Sequence, residues 1–157
     1  MKFLLSKDLH ANANYILLLS FYTIMMLLYF IGDIFYMGNF FGTSFEEVLS
    51  TLKGNPDEFL EPLSLLSLLE HFHISLFLAI LALFTTMAIL LRINLMFVHK
   101  KIIIILSMGT LLLSFLCLFG TYFVHDIFVY GFVTLSLAWH ITGIYSLILI
   151  LKQVWFK

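Results

Sequence analysis

Residues 102–124 read IIIILSMGTLLLSFLCLFGTYFV, and this stretch decides the class of fold. It contains no charged residue and no proline. About 20 consecutive apolar residues in a helix are enough to cross the hydrocarbon core of a bilayer. The stretch therefore predicts a transmembrane helix.

Three further apolar stretches of similar length predict three further spans. The chain is 62% hydrophobic and 11% charged, whereas about a quarter of the residues in a typical soluble domain are charged. We expect an all-α integral membrane protein, a four-transmembrane-helix up-down bundle that forms a single transmembrane domain over residues 1–157. The expected spans are about residues 13–34, 71–91, 102–124 and 127–151, with an outer loop at about 38–62.

Basic residues concentrate on one side of the predicted spans. Lys53 lies on the opposite side, whereas the other seven of the eight basic residues share one side: Lys2, Lys7, Arg92, Lys100, Lys101, Lys152 and Lys157. Positively charged loops remain in the cytoplasm. We therefore expect a protein of the cell membrane (the inner membrane if the source is bacterial) with both termini cytoplasmic and the acidic first loop outside.

The first outer loop carries the signals of a short amphipathic helix. Ser44 and Glu47 have the spacing of a capping box, in which each side chain bonds the other residue's backbone amide. Apolar residues then recur at helical spacing, and Gly54 follows where a helix commonly ends. Such a helix is expected to lie on the membrane surface or over the mouth of the bundle.

Small and polar side chains form a stripe on each span, and in lipid such stripes mark contacts between helices. Asp33 on the first span and His71 on the second lie on these predicted inward faces. His71 and His73 are about 200° apart around a regular helix, so both cannot face one centre, and His71 is the expected inward one. His125 follows Thr121 by four residues and would extend the stripe of the third span.

Ionisable residues at membrane depth are costly and therefore suggest function. The histidines predicted to bind a cofactor are His71, His125, His73 and His140. A metal ion would be held near the outer face by His71, His125, Asp33, Asp126 and Glu70. His140 is expected to stand alone near the midplane, either as a ligand or as a neutral ring bonded to a hydroxyl or a backbone carbonyl.

Imidazole and carboxylate groups between apolar helices suit a redox or metal centre. The favoured function is electron transfer through b-type haem near the outer face, with copper or zinc as alternatives and a bound quinone as a further possibility. The partners would be the lipid bilayer and other membrane or outer-face redox proteins, with no nucleic acid. A single cysteine excludes an internal disulfide and a CxxC redox pair.

Two other functions compete with the redox centre. One is a cofactor-free accessory or scaffold subunit of a membrane complex, in which the histidines only satisfy polar contacts. The other is a small proton-coupled transporter, with His140 and Asp33 as relay groups. A Soret band in the purified protein would separate the haem protein from the accessory subunit.

Overall fold

The computed structural model describes residues 13–155, which form four long helices and one short one. The helices are α1 (Ala13–Phe41), α2 (Phe45–Lys53), α3 (Leu65–Leu90), α4 (Phe97–Phe123) and α5 (Phe128–Trp155), and a single 3₁₀ turn covers Pro56–Glu58. All four long helices are long and apolar enough to cross a membrane. The predicted fold class is confirmed, and the protein is an integral membrane protein. Residues 1–12 and 156–157 lie outside the described part, and with them Lys2, Lys7 and Lys157 of the orientation argument.

The first long helix extends well past the predicted span. It was expected to end near residue 34, but α1 continues to Phe41. The reason is that residues 34–41 (IFYMGNFF) contain no charge and no proline, so nothing after Asp33 stops the helix. Asp33 therefore lies within the helix and not at its outer end.

The helix of the second span begins at Leu65, before the predicted start of that span near residue 71. The Ser64 side chain accepts a hydrogen bond from the Ser67 amide at 3.2 Å, and the helix starts at Leu65. A serine side chain satisfies a backbone amide at the first turn, which a proline ring cannot do.

The short helix α2 forms as predicted, with both halves of the capping box present. The Glu47 carboxylate accepts hydrogen bonds from the Thr43 amide at 2.6 Å and the Thr43 hydroxyl at 3.0 Å. These bonds lower the pKa of Glu47 below its usual value, and the bond from the Thr43 backbone amide has the largest effect. Gly54 ends the helix with a φ of 81°, a left-handed value that a side chain disfavours. Since α2 packs against α1, α4 and α5, it covers one end of the bundle.

Helix α5 is the centre of the bundle and packs against α1, α3 and α4. Gly143 permits close packing of α5 against α1, because a side-chain carbon there would overlap the Phe30 ring. Most residues of the predicted inward stripes are buried or half-buried. On the third span Ser107, Thr110, Ser114 and Thr121 are buried and Cys117 is half-buried. Large apolar side chains such as Leu17, Phe77, Leu116 and Ile141 are exposed on the outside, where lipid would contact them.

Candidate functional site

An aspartate and a histidine from different helices meet inside the bundle. Asp33 Oδ2 on α1 lies 2.9 Å from His140 Nε2 on α5. The His140 side chain is 1% exposed and that of Asp33 is 11% exposed. Ionisable groups this deep in a membrane helix are rare and almost always face a partner or a cavity. This pair is the leading candidate for a functional site.

The second nitrogen of His140 fixes how the pair is protonated. His140 Nδ1 lies 2.7 Å from the backbone carbonyl oxygen of Ser136. A carbonyl oxygen can only accept, so Nδ1 must carry a hydrogen and donate it. This contact agrees with the predicted bond from His140 to a backbone carbonyl.

It follows that Asp33 and His140 share one proton. With a hydrogen on Nδ1, a neutral imidazole has a bare lone pair on Nε2, and a carboxylate offers only lone pairs. Two acceptors do not approach to 2.9 Å without a hydrogen between them. The pair is therefore either an imidazolium beside a carboxylate or a neutral imidazole beside a carboxylic acid. Both states hold one exchangeable proton and have no net charge.

The depth of the pair corrects the expected position of Asp33 and the expectation that His140 stands alone. Asp33 was expected at the outer membrane boundary and His140 alone near the midplane. With a rise of 1.5 Å per residue, Asp33 lies about 12 Å along α1 from Phe41, and His140 about 18 Å along α5 from Phe128. Because α1 continues past Asp33, the two side chains reach a common level, and His140 does not stand alone.

Aromatic rings enclose the pair on the bundle side. The Phe30 ring is fully buried and lies 5.7 Å from the Trp139 ring and 6.2 Å from the His140 ring, centre to centre. In such an apolar setting, electrostatic interactions are stronger than in water.

A cavity of about 190 Å³ leads from the α2 end of the bundle to His140. At its outer end it is lined by Gly42, Thr43 and Val48, and at its inner end by Ser136 and His140. Its remaining lining is mostly apolar and comes from α1 and α5. The cavity therefore gives the buried pair a path toward the face of the bundle that α2 covers.

His71 occupies a separate aromatic pocket between α3 and α1. Its ring stacks on Phe40 at 4.5 Å and on Tyr36 at 5.5 Å, and Phe41 meets it edge-on at 4.6 Å. His71 is buried and His73 is exposed, so the predicted phase of this helix is confirmed.

The hydrogen-bond partners of His71 do not determine which of its ring nitrogens carries a hydrogen, in contrast to those of His140. Tyr36 Oη lies 3.3 Å from Nδ1 and Ser75 Oγ lies 3.3 Å from Nε2. Hydroxyl groups can donate or accept, so a neutral ring is satisfied in either tautomer. The bond to Tyr36 and the ring stacking link α3 to α1, and this packing role explains the presence of a buried histidine at position 71.

The remaining predicted site residues lie at the outer surface and do not face His71. His125 is exposed in the α4–α5 loop, and its Nδ1 accepts a hydrogen bond from the Ile127 amide at 3.1 Å. The expectation that it extends the α4 stripe is wrong, because α4 ends at Phe123. Asp126 forms an exposed ion pair with Lys53 at 3.8 Å, and the Glu70 side chain is also exposed.

The predicted metal ligands are therefore not assembled. Among residues 13–155, no three histidine, cysteine, aspartate or glutamate side chains are grouped so that they could hold a metal ion. The separation of His71, His125, Asp33, Asp126 and Glu70 gives no support to the copper or zinc cluster. Haem and quinone binding stay predictions, as does a ligand role for His71, His73, His125 or His140.

The aspartate–histidine contact could not be read from the sequence alone, although both residues were singled out. The signal that was missed is the apolar run after Asp33, which predicts that α1 continues. The roles of Phe30 and of the Ser136 carbonyl carry no comparable sequence signal, because one is an ordinary apolar residue and the other is a backbone group.

Comparison with known proteins identifies one relationship. The model of a family described as Aq_1264_TM, a transmembrane helical domain, matches residues 42–157. The match includes α2 to α5 with His140, while α1 with Asp33 precedes it. Neither the curated proteins nor the solved structures give a significant match.

Proposed function

The chain belongs to the Aq_1264_TM family of transmembrane helical domains, and we propose that it is a small proton-coupled transporter. The observation that supports the proposal is the contact between Asp33 and His140, which requires one shared proton inside the membrane-spanning bundle. Relay groups of proton-coupled membrane proteins are typically buried carboxylates and histidines of this kind.

The energetics of the pair explain how a proton would be coupled to movement. With its shared proton, the pair is neutral and stable in an apolar environment. After loss of that proton, a buried negative charge remains, and an unpaired buried charge costs several kcal/mol. Proton release is therefore favourable only when water enters or the helices rearrange. This links the protonation state of Asp33 and His140 to the packing of α1 against α5.

Access to the pair would alternate between the two faces of the membrane. The cavity beneath α2 provides the approach from one face. Phe30 and Gly143 pack closely between α1 and α5, so a shift of these helices would open or close the opposite approach. A carrier of this type needs no metal or haem to act.

Replacing Asp33 with asparagine is expected to abolish proton movement while leaving the bundle folded. The asparagine amide can donate to His140 Nε2 but cannot release a proton at physiological pH. The protein is reconstituted into vesicles that contain a pH-sensitive dye, and a potassium diffusion potential drives protons inward. Vesicles with the natural protein should acidify faster than protein-free vesicles, and those with Asp33→Asn should not.

Glu70→Asn is the matched control, because Glu70 is an exposed carboxylate on α3. It should acidify at the natural rate. Equal rates for the natural protein and Asp33→Asn would refute the proposal and favour the accessory-subunit function, in which the pair is only a packing contact.

The orientation of the chain is also a proposal, with both termini in the cytoplasm. Of the basic residues within 13–155, Arg92, Lys100, Lys101 and Lys152 lie at one end of the bundle and Lys53 at the other. Such a bias places the richer side in the cytoplasm.

Cysteine labelling in intact cells tests this orientation. In a Cys117→Ala background, a thiol introduced at the exposed Asp57 should react with an impermeant maleimide, and one at the exposed Asn94 should react only after the cells are opened. The reverse pattern would place the termini outside.

A further inference from the structure

The cavity that ends at His140 has the size of a small-molecule site. Its volume of about 190 Å³ can be compared with an apolar cavity of about 150 Å³, which is large enough to bind benzene. The cavity is too small for a macrocycle, a lipid chain with its headgroup, or a folded peptide. A molecule with about one six-membered ring would fill it.

The lining of the cavity selects against a charged ligand. Within residues 13–155, no lysine, arginine, aspartate or glutamate lines it. The one ionisable lining group, His140, is paired with Asp33 in a unit of no net charge. A charged molecule would lose its hydration without gaining an opposite charge, and this cost disfavours binding.

Among the described lining residues, Ser136 carries a hydroxyl whose hydrogen is available to a ligand, whereas the Thr43 hydroxyl can only accept. The Thr43 hydroxyl donates to Glu47 at 3.0 Å, and both ring nitrogens of His140 have partners. Ser136 lies near the inner end of the cavity, which Phe41 and Phe132 also line. The lining thus presents an apolar wall with one hydrogen-bond-donating hydroxyl at its base.

We propose that this cavity binds an uncharged, largely apolar molecule of about one aromatic ring, whose single hydrogen-bonding group contacts the Ser136 hydroxyl beside His140. This inference rests on the proposed transporter function and names the class of its substrate. Filling the cavity would exclude water from the pair and so favour the state in which the proton is held. Bound substrate would then strengthen retention of the proton, while the pair can still exchange its proton when the cavity is empty.

Fluorine NMR titrations with three probes test the substrate class. 4-Fluorophenol is neutral with a hydroxyl group, 4-fluorotoluene lacks the hydrogen-bonding group, and 4-fluorobenzoate is charged. In detergent micelles, we expect 4-fluorophenol to bind saturably. 4-Fluorotoluene should bind the natural protein about tenfold more weakly than 4-fluorophenol does. The variant Ser136→Ala should bind 4-fluorophenol about tenfold more weakly than the natural protein does, since each comparison removes one buried hydrogen bond. 4-Fluorobenzoate should not bind.

Two glycines on α1 provide a matched test of the location. Gly38 lines the cavity, and a side-chain carbon there would lie 3.5 Å from Thr43 Cγ2, an ordinary contact. Gly32 on the same helix has open space around it. Gly38→Val should abolish 4-fluorophenol binding, and Gly38→Ala should weaken it. The control variant Gly32→Val should bind 4-fluorophenol like the natural protein. Its signal also corrects for partition of the probe into micelles.

The outcomes separate this inference from the proposed function. Equal binding by Gly38→Val and Gly32→Val, or binding of 4-fluorobenzoate as tight as that of 4-fluorophenol, would overturn the inference. If 4-fluorophenol fails to bind while Asp33→Asn still abolishes vesicle acidification, the substrate class is wrong and the proton-coupled function stands. If 4-fluorophenol binds and the acidification rates are equal, the cavity is a binding site and the transporter function fails.

Discussion

Asp33→Ala is expected to destabilise the folded bundle by about 2 kcal/mol, the cost of leaving one buried polar group without its partner. His140 Nε2 would lose its only partner in a side chain that is 1% exposed. Asp33→Asn should cost less than about 1 kcal/mol, because its amide can donate to Nε2 and preserve a hydrogen bond. The free energy of unfolding can be measured by titration with dodecyl sulfate in mixed micelles.

Comparing the stabilities of Asp33→Ala and Asp33→Asn shows whether the Asp33 side chain stabilises the bundle through its hydrogen bond to His140. Glu70→Ala removes an exposed carboxylate from α3 and should change stability by no more than about 0.5 kcal/mol. If Asp33→Asn is as unstable as Asp33→Ala, the stabilisation by Asp33 does not come from a single hydrogen bond to His140. If neither variant loses stability, the contact does not hold the helices together.

Gly143→Ala is expected to destabilise the protein by about 2 kcal/mol, within the range for overpacking a well-filled core. The new side-chain carbon would overlap the ring of Phe30, which is fully buried. Since Phe30 and Asp33 share α1, and Gly143 and His140 share α5, any separation of the helices here also stretches the aspartate–histidine contact. The same unfolding titration measures the loss, and slower acidification in vesicles would report the effect on the pair.

A glycine in open space and a compensating change provide the controls for Gly143. Gly109→Ala on α4 meets nothing within 4 Å and should be neutral or slightly stabilising, because alanine favours helix over glycine. The double variant Phe30→Leu with Gly143→Ala should lose less unfolding free energy than the two single variants lose in total, since the smaller side chain at position 30 relieves the overlap. Additive effects would show that Phe30 and Gly143 do not constrain each other.

The pair also explains why an aspartate is tolerated in the middle of a membrane helix. An isolated carboxylate in lipid carries a large free-energy cost. Here the cost is offset by the shared proton with His140 and by the cavity that reaches the pair. The features that make Asp33 tolerable in lipid are the same ones on which the proposed proton exchange depends.

The class of fold was predictable from the sequence because it depends on local properties. Stretches such as residues 102–124 are apolar over the full thickness of a bilayer, and helix formation satisfies all their backbone groups internally. The cap at Ser44 and Glu47 and the end of α2 at Gly54 were predictable for the same reason, since each involves residues only a few positions apart. The inward phase of His71 followed from helical periodicity alone.

The pairing of side chains between helices was decided only by the tertiary structure. The sequence placed Asp33 at a membrane boundary and His125 on a buried stripe, and both assignments failed because they depended on helix ends. An extension of α1 to Phe41 and the end of α4 at Phe123 changed which side chains share a level. Hydrophobic periodicity indicates which face of a helix is buried, but not its axial offset from its neighbours. That offset is set by contacts such as Phe30 against Gly143, and it brings Asp33 to His140.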